Sequence, residues 1–196
     1  MTPDFPKRLQ ELLDHYGILY VNDEIQSGCG RTGPVWAIER YGVQPDLLVS
    51  GKTLGGGLPL AGVTGRAELM DAVPPGGLGG TFGGNPVACA AAAAILDALA
   101  EQRPRAEQIG VRLHERLQAM APTGSDVRGL GPMVAIELPE QTGDEAGRIV
   151  ATARQEGLML LSCGIYGNVI RILVPFTIGD EELERGLDIL EATIGG

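Results

Sequence analysis

The spacing of apolar side chains in the first half of the chain predicts helices alternating with strands. Apolar residues recur every three or four positions between Leu9 and Tyr16, which is typical of an amphipathic helix. Short apolar runs bounded by glycine and polar residues are typical of buried strands. The predicted elements are helix 9–16, strand 18–21, glycine-rich loop 27–33, helix 36–41 and strand 46–50. This order predicts an α/β fold in which helices wrap a parallel sheet.

The second half of the chain has a different order of elements. The predicted elements are helices 86–100 and 104–120, strand 133–138, helix 145–156, strands 158–161 and 169–174, and a last helix from 180. Strands and helices in this order indicate a separate, smaller α+β domain. We therefore predict two domains, with residues 1–103 as the C-terminal part of a large domain and residues 104–196 as a small C-terminal domain.

Composition and charge exclude several classes of partner. The formal net charge is −10 and the sequence pI is about 4.6, so phosphate backbones and anionic lipid surfaces would be repelled. We expect no nucleic acid partner and no membrane. The longest apolar run, 87–96, is too short to cross a bilayer. Three cysteines without a CxxC pair, and two histidines distant from them, predict neither a disulfide framework nor a metal site, which favours a cytoplasmic protein.

Four polar residues are the candidates for chemistry: Asp23, Gln26, Lys52 and Thr81. Lys52 follows a predicted strand between small residues, where an amine has room to reach a ligand aldehyde and form an imine. Asp23 follows a neighbouring strand and could hold a pyridinium nitrogen charged, so that the ring accepts electrons. Thr81 follows two glycines and precedes a helix, a setting that suits a phosphate. Taken alone, Asp23 could be a helix cap and Thr81 a turn residue.

Two further glycine motifs suggest nucleotide binding. The segment 28–33 matches GxGxxG after a strand, which is one form of dinucleotide fingerprint. Polar residues separate the strand from these glycines, and the expected acidic residue about 20 positions on is missing. Gly51-Lys52-Thr53 resembles the end of a P-loop, but strand residues fill the place of the flexible phosphate-binding backbone. Nucleotide binding is therefore the weaker alternative.

Longer runs of the sequence resemble a known family. They read DEIQSGCGRTG at 23–33, PDLLVSGK at 45–52 and GGTFGGNP at 79–86, followed by VRGLG at 127–131, LLSCG at 160–164 and NVIRIL at 168–173. In order and spacing the chain resembles the class III (omega) aminotransferases, and most closely the members that act on 4-aminobutyrate. The resemblance implies the pyridoxal-phosphate-dependent transferase fold of type I, with pyridoxal 5'-phosphate as the cofactor.

The resemblance also implies a role for each matching residue. Asp23 would bind the pyridine nitrogen, Ile25 would pack on a ring face, and Gln26 would hydrogen-bond near the phenolic oxygen. Lys52 would bond covalently to the cofactor and then move a proton as general base and acid.

Two matching residues lie outside this group. Thr81 would contact the phosphate of the neighbouring subunit's cofactor, which implies a homodimer or higher homo-oligomer. Arg171 would bind a substrate carboxylate, for which its planar guanidinium group is suited. The alternative is that Arg171 forms a structural ion pair.

The implied activity is transfer of an amino group from an omega-amino acid, such as 4-aminobutyrate, to 2-oxoglutarate. The small molecules that bind would thus be an amino acid and a 2-oxo acid. Family members have a phosphate loop, a ring-stacking aromatic residue and a substrate-sorting glutamate in a portion that precedes the matched runs. We therefore expect this chain to correspond to the C-terminal portion and to be impaired. A non-catalytic remnant, or half of a split enzyme, is the alternative.

Overall fold

The computed structural model describes residues 2–195, which divide into two compact units. The first unit ends at Arg103 and the second begins at Pro104. Each unit has its own sheet. The assignment of these two parts to a large and a small domain of one enzyme stays a prediction.

The first unit contains a three-stranded sheet with helices and turns around it. Its elements are α1 (Phe5–Tyr16), β1 (Val21–Asp23), a 3₁₀ turn (Ala37–Tyr41), β2 (Leu47–Ser50), a second 3₁₀ turn (Lys52–Gly55), β3 (Gly62–Gly65), α2 (Ala67–Met70) and the start of α3 (Pro86–Met120). The strand order is β1-β2-β3. β1 and β2 run parallel, with Asp23 opposite Val49. The segments that follow these two strands therefore leave the sheet at the same edge.

The prediction of a purely parallel sheet is wrong for the third strand. β3 pairs antiparallel with β2, with Gly62 opposite Ser50. The connection 51–61 is too short for a crossover helix, so the chain can only return in the opposite direction. The sequence pattern missed β3 because two of its four residues are glycines, which are depleted in strands.

The predicted buried strand at 18–21 is also corrected, because pairing begins only at Val21. Gly17 ends α1 in the left-handed conformation, and the Ile18 N–H still donates to Leu13 O at 2.9 Å. Ile18 therefore belongs to the helix cap. β1 is an edge strand of the described sheet, and Ile18 and Val21 are more than half exposed.

The second unit is a four-stranded antiparallel sheet packed against helices. Its remaining elements are β4 (Asp126–Leu130), β5 (Met133–Glu137), α4 (Asp144–Gln155), β6 (Leu161–Cys163), β7 (Val169–Leu173) and α5 (Asp180–Gly195). The strand order is β4-β5-β7-β6. Alternate residues of β5 and β7, such as Ile136 and Ile170, are fully buried together with Leu113 and Leu117 of α3. Burial of these apolar side chains is the main stabilising term of this unit.

Two helix predictions in this region need correction. Helices 86–100 and 104–120 form the single helix α3, which contains Pro104. Proline removes one backbone donor, but alanine, glutamate, glutamine and arginine on both sides favour the helix enough for it to continue.

The strand predicted at 158–161 begins at Leu161, because the Leu158 N–H caps α4 by donating to Ala153 O. β4 was not predicted as a strand.

Among residues 2–195, no helix is both long enough and apolar enough to span a bilayer.

Candidate active site

The candidate site lies where β1 and β2 end, and its central contact joins Lys52 to Gln26. Gln26 follows β1 and Lys52 follows β2, so the parallel pairing of the strands brings both to one edge of the sheet. The Lys52 Nζ donates a hydrogen bond to Gln26 Oε1. Two residues that are 26 positions apart in the sequence therefore meet at this edge. Carboxyl ends of strands in open α/β sheets are where such folds bind ligands.

The backbone at Lys52 is strained. Its φ angle is 49°, in the left-handed region that side chains with a Cβ avoid. Such conformations cost about 1 to 3 kcal/mol and persist where surrounding structure enforces them, often at functional sites. The Leu54 N–H donates to Gly51 O at 3.1 Å, which closes the 3₁₀ turn that holds Lys52. The exposed Lys52 side chain is thereby presented at the end of β2.

Asp23 and Ile25 flank this contact on the first strand's side. Asp23 is exposed at the end of β1, and its Oδ1 accepts a hydrogen bond from the Ile25 N–H at 2.9 Å. The Ile25 side chain lies 3.6 Å from the position that a Cβ would take at Gly51. Asp23, Ile25, Gln26 and Lys52 are thus gathered at one edge, as the sequence led us to expect.

The other two predicted residues, Thr81 and Arg171, are described separately. Thr81 lies in the exposed loop 71–85 before α3, and the described hydrogen bonds do not join it to Lys52 or Gln26. Arg171 belongs to the second unit, on β7 between Ala135 and Leu161 of the neighbouring strands. Its Nε is buried and has no hydrogen-bond partner. A buried donor without a partner costs free energy, so it is available to an acceptor that the protein itself does not supply.

Glu24 is a buried acid that the sequence pattern did not single out. Only 2% of it is exposed, and its carboxylate accepts three hydrogen bonds, from β1, from the loop that follows it and from the 3₁₀ turn Ala37–Tyr41. The alternation of side chains along a strand could have indicated that Asp23 and Glu24 point to opposite faces. Burial first, and then the nearby Glu24 carboxylate, raise the pKa of the Cys29 thiol and of the Tyr20 hydroxyl.

Gly28, the first glycine of the segment 28–33, is closely packed within this loop. Gly28 is buried, and a Cβ there would lie 2.7 Å from the ring of Trp36. The next regular element is a 3₁₀ turn beginning at Ala37, whereas a dinucleotide fingerprint opens an α-helix. The geometry argues against the nucleotide-binding alternative.

Solved structures that resemble this chain include aminotransferases. An ornithine aminotransferase from Toxoplasma gondii matches with a TM-score of 0.87 and 34% identity, covering 98% of this chain and 46% of that one. An acetylornithine aminotransferase from Elizabethkingia anophelis matches with a TM-score of 0.86 and 34% identity, covering 98% of this chain and 52% of that one. The predicted fold class is confirmed.

The chain belongs to the aminotransferase class III family, whose model matches residues 1–194. It is 51% identical to the 4-aminobutyrate aminotransferase GabT of Escherichia coli, over 96% of this chain and 47% of that protein. It is 50% identical to the 5-aminovalerate aminotransferase DavT of Pseudomonas putida, over 94% of this chain and 46% of that protein. The resemblance noted in the sequence is confirmed. The chain spans about half the length of the curated relatives it matches.

Proposed function

We propose that this chain carries cofactor-binding residues of a pyridoxal-phosphate-dependent transaminase, with Lys52 bonding covalently to the cofactor. The observation that supports this most directly is the hydrogen bond between Lys52 and Gln26 at the edge where β1 and β2 end. Class III family membership supports it as well. The Toxoplasma gondii structure holds pyridoxal phosphate at partial occupancy in its active site.

The donor set fits the functional groups of pyridoxal phosphate. The cofactor has an aldehyde, a ring nitrogen and a phenolic oxygen, and a protein binds these with an amine, an anion and a hydrogen-bond donor. Lys52, Asp23 and Gln26 supply these groups at one edge of the sheet. Ile25 offers an apolar side chain for the ring face. Thr81 would contact the phosphate of the neighbouring subunit's cofactor, so the proposal includes a homodimer.

The chemistry at this edge follows from the residue types. When bound, pyridoxal phosphate supplies an electron sink for the bond that breaks at the substrate carbon. The Asp23 carboxylate would keep the ring nitrogen protonated. Once the substrate amine has taken its place on the cofactor, the freed Lys52 Nζ would take a proton from the substrate carbon as general base and later return one as general acid. Gln26 would orient Lys52 and the phenolic oxygen.

Arg171 is the proposed binding residue for a substrate carboxylate. Its buried Nε without a partner is a donor that a carboxylate oxygen could satisfy. Guanidinium groups bind carboxylates in a planar, two-point geometry, which selects amino acids and 2-oxo acids. The relatives named for 4-aminobutyrate and 5-aminovalerate favour an omega-amino acid as amino donor, with 2-oxoglutarate as acceptor.

The free state of all three cysteines is compatible with the proposed cytoplasmic location.

The covalent step can be tested sharply because the chain has only two lysines, Lys7 and Lys52. Addition of pyridoxal phosphate should give the absorbance band of a lysine adduct. After borohydride reduction, the label should lie on the peptide that contains Lys52. Lys52→Ala should abolish this label, and Lys7→Ala, on α1, should leave it unchanged.

The second candidate function is that of a non-catalytic remnant or of half of a split enzyme. It is favoured by the exposure of Asp23, Lys52 and Thr81 to solvent within the described chain. Absence of label on Lys52 at any concentration of pyridoxal phosphate would support this candidate and contradict the proposed cofactor role.

A further inference from the structure

The carboxylate of Glu24 is a buried hub of hydrogen bonds beside the candidate site. Its Oε1 accepts from the Asn22 Nδ2 and from the Ile38 N–H, each at 2.9 Å. Its Oε2 accepts from the Ser27 Oγ at 2.5 Å. A charge that is withdrawn from water this completely is costly unless hydrogen bonds satisfy it. The loop around Glu24 is therefore built to hold a carboxylate at this point.

The three donors come from three different segments. Asn22 lies in β1, Ser27 lies after the segment that contains Gln26, and Ile38 lies in the 3₁₀ turn Ala37–Tyr41. The backbone of Glu24 adds two more bonds, because its N–H donates to Val49 O of β2 at 2.8 Å and its O accepts from the Gly28 N–H at 2.9 Å. Glu24 thereby ties β1, β2 and the returning loop together.

The segment that Glu24 fixes is the one that carries the proposed cofactor contacts. Asp23 and Ile25 are its immediate neighbours, and Gln26 lies between Glu24 and Ser27. Gln26 in turn accepts from the Lys52 Nζ. Movement of the segment would therefore displace Asp23 and separate Gln26 from Lys52.

We propose that Glu24 is a positioning residue, which holds the segment 23–26 in place so that its side chains and Lys52 face the cofactor together. This inference rests on the proposed function, because it assigns Glu24 a role in the same site. The hydrogen bonds of the Glu24 carboxylate go to Asn22, Ser27 and Ile38, so Glu24 acts on the cofactor contacts through its neighbours.

The hydrogen-bond pattern predicts which substitutions preserve the position. In Glu24→Gln, the amide oxygen can still accept from Asn22 and Ile38, while the amide nitrogen can only donate to the Ser27 Oγ, whose own hydroxyl proton must turn to another acceptor. Two of the three donors therefore keep their partner. In Glu24→Ala, all three donors, those of Asn22, Ser27 and Ile38, lose their acceptor. Glu24→Gln should therefore keep segment 23–26 largely in place, although glutamine carries no charge.

The experiment compares the unaltered chain with Glu24→Ala, Glu24→Gln and the matched control Glu39→Ala. Glu39 is an exposed glutamate on the same 3₁₀ turn, and its Oε1 accepts from the Trp36 N–H at 2.7 Å. Pyridoxal phosphate is titrated, and the Lys52 label is quantified after borohydride reduction. At saturation, the circular dichroism of the adduct band is measured per labelled Lys52, because this signal reports how rigidly the adduct is held.

We expect Glu24→Ala to weaken the apparent affinity for pyridoxal phosphate about tenfold or more, and to reduce the circular dichroism per labelled Lys52. The reason is that small displacements of the groups in a site cause large losses of binding and reaction rate. The apparent affinity of Glu24→Gln and of Glu39→Ala for pyridoxal phosphate should stay within about threefold of that of the unaltered chain. If Glu24→Ala does not fold, Glu24→Asp takes its place, because a side chain one methylene shorter cannot reach all three donors. Fluorescence of Trp36 checks folding in each variant.

The outcomes separate the inference from the proposed function. Labelling of Lys52 in the unaltered chain, with equal affinity and dichroism in Glu24→Ala, would overturn the positioning role alone. An equal loss in Glu24→Ala and Glu24→Gln would also overturn it, because rescue by the conservative variant is required. No label in the unaltered chain would overturn the proposed function and this inference with it.

Discussion

Lys52 is one of two residues other than glycine with a positive φ angle in the part of the chain that the structure describes, and the other is Cys29. Glycine would adopt the same conformation without strain. A lysine at this position therefore costs conformational energy that its packing does not explain, since its side chain is exposed. The proposed covalent role gives a reason for an amine at a position that backbone geometry would assign to glycine.

This strain predicts the relative stability of two variants. Lys52→Gly should be more stable than Lys52→Ala by about 0.5 to 1 kcal/mol, because glycine relieves the left-handed strain and loses part of that gain through its flexible unfolded state. Urea unfolding followed by the fluorescence of Trp36, the only tryptophan, would measure the difference.

Lys7 provides the matched control, since it lies in α1. There the order should be reversed, with Lys7→Gly less stable than Lys7→Ala by about 0.5 to 1 kcal/mol. If Lys52→Ala proved as stable as Lys52→Gly, the left-handed backbone at this position would be contradicted.

The grouping of Asp23, Gln26 and Lys52 could be predicted from the sequence because each follows a predicted strand. The parallel pairing of neighbouring strands then brings such residues to one edge. The hub at Glu24 could not be predicted in the same way. Its three donors include a backbone N–H contributed by Ile38, 14 positions away, and no side-chain pattern marks that partner.

At the scale of elements, most helices and strands were predictable in type, and the errors have common physical causes. Strands β1 and β6 both begin later than their apolar runs, because the apolar residue after Gly17 or Gly157 caps the preceding helix. In this motif the apolar residue after a left-handed glycine packs against the end of the helix. Its apolar side chain is therefore part of the helix cap and does not mark the start of a strand. β3 and β4 contain glycines and lack the pattern that marks strands.

A close contact in the second unit predicts the effect of a glycine substitution in α3. A Cβ added at Gly110 would lie 2.6 to 2.7 Å from backbone atoms of Gly131, in the turn between β4 and β5. Because backbone atoms cannot move aside easily, Gly110→Ala should lower the free energy of unfolding by about 1 to 3 kcal/mol. Urea unfolding followed by far-ultraviolet circular dichroism is the measurement.

Gly147 in α4 is the control for this substitution. It is exposed, and an added Cβ would meet nothing within 4 Å. Gly147→Ala should therefore raise the free energy of unfolding by about 0.5 to 1 kcal/mol, through helix propensity alone. A gain in stability for Gly110→Ala as well would show that α3 does not pack closely against the turn at Gly131.

At the scale of the whole molecule, the match to the family runs along nearly the entire chain, whereas the chain spans about half of each curated relative. The site residues are open to water in the described structure. Asp23, Lys52 and Thr81 are exposed, and Phe82 beside Thr81 is 86% exposed. Water weakens the interactions of charged groups, because its dielectric constant is far higher than that of a protein interior. An open site should therefore bind and orient a cofactor poorly.

We accordingly predict that the 196-residue chain transfers amino groups slowly. With 4-aminobutyrate, 2-oxoglutarate and pyridoxal phosphate, its rate of glutamate formation should lie about 100-fold or more below that of the full-length Escherichia coli relative, since imprecise positioning alone costs a factor of this size. Lys52→Ala of the same chain sets the background, and any rate above it should disappear in that variant. A rate equal to that of the full-length relative, from a sample free of any longer chain, would contradict the prediction and show that the exposed edge of β1 and β2 is sufficient for catalysis.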